Sequence, residues 1–419
     1  MLARRTTRQC LLIGAVVVAL GGVSAHPAFA VNDSEAQQFA EELDISVADA
    51  KKRLGWQEKA SALTDQAKDG PLGSRFGGVW IDNTDGGRVK LGVVKADERS
   101  NAQARRAVES AGLEEGADLV DVSRSDASIY GIVGELKSRI REANATADSE
   151  LGVGVRTDEN AAQLTLPADR ALTSEQAAVV ADARNKYGDA LRLDYAKGND
   201  EPARCSAGSD PIPPLYCDRP LRGGVRVSGT QGCTGAFLGR SQTDGTLYQF
   251  GAGHCPTDRS TWFTRFANDL SAHDIGPFHN WVYDQRGDAG IIRVANPSGW
   301  IARAWVFVTS SPDTSRDESY RITSDSGSVV GQRVCATGAS RSQSDCGTVL
   351  EVGYCAGYGV CGLARASFTV NPGDSGGPVY VSNSAKGIIS GRNTQTGEAR
   401  YQGIRGAESL LNVNVSFDD

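Results

Sequence analysis

Ser375 sits in Asn-Pro-Gly-Asp-Ser-Gly-Gly-Pro (371–378), and far upstream His254 sits in Gly-Ala-Gly-His-Cys (251–255). Glycines around Ser375 suit a backbone bent tightly about one hydroxyl. A serine hydroxyl is a weak nucleophile until a base takes its proton, and an imidazole can take it near neutral pH. The pair then needs a buried carboxylate that fixes the imidazole's tautomer and stabilises its charged form. Gly-Asp-Ala-Gly-Ile-Ile (287–292) offers Asp288 at the entrance of an apolar strand, among small neighbours that let it pack beneath a ring. A turn aspartate opening a strand looks the same, so its position between His254 and Ser375 is what selects it. His273 and His279 fall in a polar, loop-like stretch and read as surface residues.

Distant residues need a frame to bring them together. Beyond residue 220 helical periodicity almost vanishes, and short apolar runs such as Leu247–Phe250, Ala289–Val294 and Val349–Val352 alternate with Gly, Asn, Asp and Ser turns. Many short strands of this kind predict an all-β barrel or sandwich. A polar stretch, Thr309 to Ser319, divides the region into about 221–308 and 320–419, each the size of one small barrel.

The preceding half has another character. Alternation at Val79 and Ile81, then Val89, Leu91 and Val93, around an Asp-Gly turn predicts a hairpin. A helix near 100–112 and a strand at 118–122 follow. The order strand, turn, strand, helix, strand recurs from Gly152, with Thr173 and Gln176 spaced as a capping box and a strand at 191–195. Two short helices are expected within 34–54. Ile129, Ile132, Val133, Leu136 and Ile140 mark a helix between the copies. Residues 31–201 hold 32 acidic against 22 basic residues, whereas 202–419 hold 19 of each. The acids of the first half show no clustering and read as a solvated face. Neither half carries the basic stripe that nucleic-acid binding needs.

Arg4, Arg5 and Arg8, an apolar run from Leu11 to about Ala25, and Ala28-Phe29-Ala30 describe a cleavable secretory signal over 1–30. The run is too short and too glycine-broken for a membrane anchor. Cys10 would leave with it. The other eight cysteines lie beyond residue 204, and their spacing suggests Cys205–Cys217, Cys233–Cys255, Cys335–Cys346 and Cys355–Cys361, one choice among the many pairings eight cysteines allow. Zinc ligation competes poorly, since no Cys-x-x-Cys pair occurs.

On the 251–255, 287–290 and 371–378 motifs, with Gly-Gln-Arg-Val-Cys and Cys-Gly-Thr-Val within 331–349 and Ile-Ser-Gly at 389–391, residues 221–419 resemble the chymotrypsin-like serine peptidases of the bacterial streptogrisin and α-lytic protease group. Residues 31–200 resemble, more loosely, the pro-regions of that group. The resemblance implies an α+β pro-region (31–201) of two diverged β-β-α-β copies plus helices, followed by an all-β double β-barrel (202–419). It implies a secreted endopeptidase made as a zymogen and acting on polypeptides as a monomer, without cofactor, metal or membrane anchor once the signal is gone. Ser375 would be the nucleophile, His254 the general base and Asp288 the orienting acid. The N–H groups of Gly373 and Ser375 would form an oxyanion hole, whose donors are worth about 3–4 kcal/mol in comparable enzymes. Ser390, Gly391 and Arg392 would flank the substrate backbone, with Thr369 beside the pocket. The pro-region would assist folding and inhibit until cut away between about 196 and 222. The alternative is a catalytically silent homologue that keeps the barrels as a protein-binding module.

Three departures from the family pattern stand out. Ala336 replaces the arginine that often holds the aspartate before the nucleophile, so Asp374 needs another partner, with Arg333, Arg341 or a new N-terminal amine as candidates. Thr369 occupies one position of a missing pocket disulfide. Arg392 stands where glycine is usual, and either faces solvent, narrows the pocket or offers charge to an acidic P1 side chain.

Overall fold

The computed structural model describes residues 31–417 apart from 32, 71, 146, 203–220, 266–270, 296, 298–299, 301, 310–317 and 342. The expected signal sequence, the expected Cys205–Cys217 pair and most of the expected processing region therefore lie outside the described residues.

Two helices, Asp33–Leu43 and Val47–Lys68, open the N-terminal region. Ser46 caps the second by accepting from the Asp49 N–H at 3.0 Å. That helix runs well past the expected end near residue 54, because Ala60, Leu63 and Ala67 continue its buried stripe onto the first sheet. The sheet consists of Phe76–Asp82, Arg88–Val94 and Ala117–Val122. Its first pair is an antiparallel hairpin, and the helix Glu98–Ser110 carries the chain to a parallel third strand. The second copy repeats this with Gly152–Arg156, Ala161–Pro167, the helix Ser174–Tyr187 and Leu191–Ala196. Thr173 and Gln176 form the expected capping box. Between the copies, Asp126–Asn144 is the expected helix, burying Ile129, Val133, Leu136 and Ile140.

The C-terminal half is a double β-barrel. One barrel closes on itself through six strands in the spatial order Arg333–Ala336, Pro378–Val381, Ser384–Asn393, Glu398–Gly403, Leu363–Thr369 and Asp345–Cys355, the last pairing back onto the first. Val334, Val349, Phe368, Val379, Ile389 and Tyr401 fill it. The other is a half-closed barrel built on Leu247–Gly251, Ala272–Asp284 and Gly287–Arg293, with Trp262, Phe278 and Ile292 inside. The helix Ile404–Leu411, unexpected from the strand-like pattern, packs Ile404, Ala407 and Leu411 against Phe250 and Ile291. It hands the chain to Val413–Val415, which pairs with Leu238–Ser241 of the half-closed barrel. The 320–419 stretch thus returns across the molecule at its end.

The two halves share one sheet. Gly152–Arg156 pairs antiparallel with Asp345–Cys355, Val352 opposite Val155 and Cys355 opposite Val153. Asp200–Pro202 pairs antiparallel with Ser384–Asn393. The first copy touches the closed barrel through Ile81, whose N–H donates to the Val330 carbonyl at 2.9 Å. Several acids expected on a solvated face are buried instead: Glu35 and Glu58 are 2% and 5% exposed. Glu35 lies 3.3 Å from the Arg333 guanidinium and Glu58 3.9 Å from the Lys386 ammonium, both across the junction. A carboxylate loses its hydration on burial, so it goes where a cation or hydrogen-bond donor replaces it.

Candidate active site

Each of the three candidate side chains lies at or next to the end of a short strand. His254 follows the strand Leu247–Gly251, and the Cys233–Cys255 disulfide ties its turn to the neighbouring Gly232–Thr234 strand. The Gln231 amide donates to the carbonyls of His254 and Cys255, holding the turn from below. Asp288 is the second residue of Gly287–Arg293 and is fully buried.

Ser375 lies in the tight turn before Pro378–Val381. Gly376 has φ +85°, and a Cβ there would fall 2.3 Å from the Thr234 carbonyl oxygen, so the position needs glycine. The Thr234 N–H donates to the Ser375 carbonyl at 2.7 Å, and the Thr234 hydroxyl to the Gly373 carbonyl at 2.7 Å. Neither the Gly373 nor the Ser375 N–H donates to an acceptor among the described residues.

The side chains meet in a line. Ser375 Oγ is 2.8 Å from His254 Nε2, and His254 Nδ1 is 2.7 Å from Asp288 Oδ2. The His254 backbone N–H also donates to Asp288 Oδ1 at 3.1 Å. A carboxylate only accepts, so Nδ1 carries the proton and Nε2 presents its lone pair to the serine. Ser390, expected beside the substrate backbone, donates its hydroxyl to Asp288 Oδ2 at 2.6 Å. Its single proton is thereby committed, so Tyr358, 3.0 Å away, donates to Ser390. Burial and the nearby Asp288 charge push the Tyr358 phenol well above its usual range and keep it a donor. The Gln402 side chain accepts from the Asp288 N–H at 3.0 Å. Tyr358 and Gln402 carry no motif that singles them out in the sequence.

Asp374 is buried completely, and Arg341 is its partner, through Nη2 at 2.7 Å and Nε at 3.2 Å. Ser340 adds its N–H and hydroxyl, and Asn371 its N–H. Arg333, the other candidate side chain, is engaged by Glu35 and Glu42. Thr369 lies exposed at the end of its strand, with N–H and hydroxyl both donated to Asp345. Arg392 is half-buried, its Nη1 3.5 Å from the Val370 carbonyl, and Gly391 lies opposite Pro202. His273 bonds Ser271, and His279 lies against the Tyr248 ring. Cys335–Cys346 and Cys355–Cys361 are the other two disulfides among the described residues. Beside the imidazole a cleft of about 430 Å³ opens between His254, Trp281, Tyr283, Asp284 and Arg286.

No family model matches the chain. It is 31% identical over 179 residues to serine protease 2 of Streptomyces fradiae, a match covering 41% of this chain and 95% of that protein. The chain belongs to the streptogrisin group of chymotrypsin-like serine peptidases. Serine protease 1 of the same organism is 26% identical over 421 residues, covering 98% of this chain and 99% of its own, so the likeness of this peptidase runs through the N-terminal region. Streptogrisin-A of Streptomyces griseus is 27% identical over 271 residues, covering 63% of this peptidase and 78% of its own length.

Proposed function

We propose that the protein is a secreted zymogen whose peptidase half cuts polypeptides through an acyl-enzyme on Ser375. The observation carrying this reading is the continuous hydrogen-bonded line from Ser375 Oγ through the imidazole to Asp288. As Oγ attacks the scissile carbonyl carbon, Nε2 takes its proton, and Asp288 stabilises the imidazolium that forms. The carbonyl oxygen becomes an oxyanion and turns to the N–H groups of Gly373 and Ser375. Nε2 then gives its proton to the leaving amine, and water repeats the sequence to release the acid and restore the serine.

Residues 1–30 act as the secretory signal, and the pro-region expected over 31–201 extends at least through Pro202. Asp200–Pro202 lies along Gly391–Asn393, the strand expected to pair with substrate, and so withholds it from other peptides. Its direction is from Asn393 towards Ser390, whose hydroxyl rests on the catalytic carboxylate. Processing therefore falls beyond Pro202.

An organophosphonate probe is expected to label the wild-type chain, with N-terminal sequencing placing the mature start after residue 202. Ser375→Ala is expected to abolish labelling and leave the precursor uncut. Labelling that survives this substitution would assign the nucleophile elsewhere.

A further inference from the structure

Where Asp200–Pro202 runs along Ser384–Asn393, Asp200 is opposite Asn393. Its carboxylate does not face solvent. Oδ1 lies 2.7 Å from Arg400 Nη2, and Oδ2 accepts from the Tyr354 hydroxyl at 2.6 Å. Both donors belong to the peptidase half, and with the N-terminal region in place Arg400 is 1% exposed and Tyr354 3%. The guanidinium stacks over the Tyr354 ring with 5.2 Å between guanidinium carbon and ring centre. Nη1 is spent on the carbonyls of Glu398 and Ala399, at 3.2 and 3.1 Å. The Glu398 carboxylate lies 3.9 Å from that same Nη1. Nη2 and the phenol are thus turned towards the residue opposite Asn393. Burial holds the phenol protonated, well above its usual range.

When residues up to 202 leave, these two donors lose their shared acceptor, and a substrate carboxylate in the same place restores two charge-assisted hydrogen bonds. We propose that Arg400 and Tyr354 form a subsite for an acidic side chain of the substrate at the position opposite Asn393, an inference that rests on the peptidase reading. With the residue opposite Ser390 as the acyl donor, that position is the fourth residue on the acyl side of the cut. A carboxylate has two accepting oxygens and satisfies both donors. An amide of the same shape has one, and turns its NH₂ against the other donor. The selected chemistry is therefore a carboxylate, with aspartate the length already seen to fit.

The test uses mature enzyme released from the full chain and three peptides identical except for Asp, Asn or Ala at the fourth acyl-side residue. The expected kcat/KM for the Asp peptide exceeds that for its Asn twin by about 10–100-fold, the range for hydrogen bonds to a charged group. Tyr354→Phe is expected to shrink that ratio by about 5–10-fold, with phosphonate labelling of Ser375 reporting an intact centre. An Asp to Asn ratio below about 2 in the wild type would overturn the subsite while the Ala peptide is still cut. A ratio unchanged in Tyr354→Phe would overturn its assignment to these residues. Failure to cut any peptide, with Ser375 unlabelled, would overturn the peptidase reading and the subsite with it.

Discussion

Asp374 shows how a missing residue in a motif becomes a structural demand. The sequence revealed that Ala336 could not hold this carboxylate, and left three candidates. Arg341 emerges because its loop folds back over the turn, giving two bonds to Asp374 while Nη2 also donates to the Thr369 carbonyl. No local pattern could reveal that, since the contact depends on how two loops of the closed barrel stack. The Ser375, His254 and Asp288 motifs were legible because each needs glycine or small residues at fixed offsets. Ser390's bond to Asp288 was not, since one hydroxyl in an apolar strand carries no such signature. Removing one member of a buried ion pair strands the other, typically at about 3–5 kcal/mol. Arg341→Ala is therefore expected to lower stability by about that amount in urea unfolding. It should also reduce kcat more than it raises KM, because the adjoining turn carries both proposed oxyanion donors. Unchanged stability would mean that Ser340 and Asn371 alone suffice for Asp374.

Elements whose signal lies in their own side chains were the ones the sequence revealed. The hairpins of both N-terminal copies, the Thr173 capping box and the Asp126–Asn144 helix all announce themselves by periodicity or caps. The pairing of Gly152–Arg156 with Asp345–Cys355 did not, because backbone hydrogen bonds between distant strands leave no residue pattern. The helix Ile404–Leu411 was hidden for another reason: it is a short amphipathic turn in a region dominated by strands. His254 depends on an element that is little more than a turn, pinned by Cys233–Cys255 across 22 positions. A loop of that size limits the unfolded chain enough to stabilise the fold by about 3 kcal/mol. The paired substitution Cys233→Ala with Cys255→Ala should cost about that in thermal unfolding and lower kcat as the His254 turn loosens. If kcat were retained at a temperature where the variant is still folded, the turn would be held by Gln231 and its neighbours without the bridge.

For the whole molecule, the acidic excess of residues 31–201 was visible in composition, but its destination was not. Glu35, Glu58 and Glu150 lie in the N-terminal region, and Glu351 lies beneath Gly154 on the other side of the junction. Burial pushes Glu58, Glu150 and Glu351 up from the ordinary 4.5 to about 7, and raises Glu35 as well, although Arg333, Lys386 and Arg365 pull against it for Glu35, Glu58 and Glu351 respectively. Separation of the halves opens these carboxyls to water, which draws their values back towards the ordinary one. A group whose pKa is raised in the joined state supports that state fully below its free value, and loses the contribution as pH climbs through the raised one. The window is therefore about 4.5 to 7, and the joined form weakens as pH rises across it. Lys386, pushed down by the same burial, acts in the opposite sense below its ordinary 10.5. Four carboxyls against one ammonium leave the carboxyl sense dominant in that window. Once the chain is cut after residue 202 as proposed, the N-terminal region should co-elute with the peptidase half on gel filtration at pH 5 and separate from it at pH 8. Each unit by which a carboxyl is raised is worth about tenfold in affinity. Gel filtration reads association and not turnover. Equal retention at both pH values, or release favoured at pH 5, would show that the arginine pairs and the shared sheet govern docking, and that these buried acids do not.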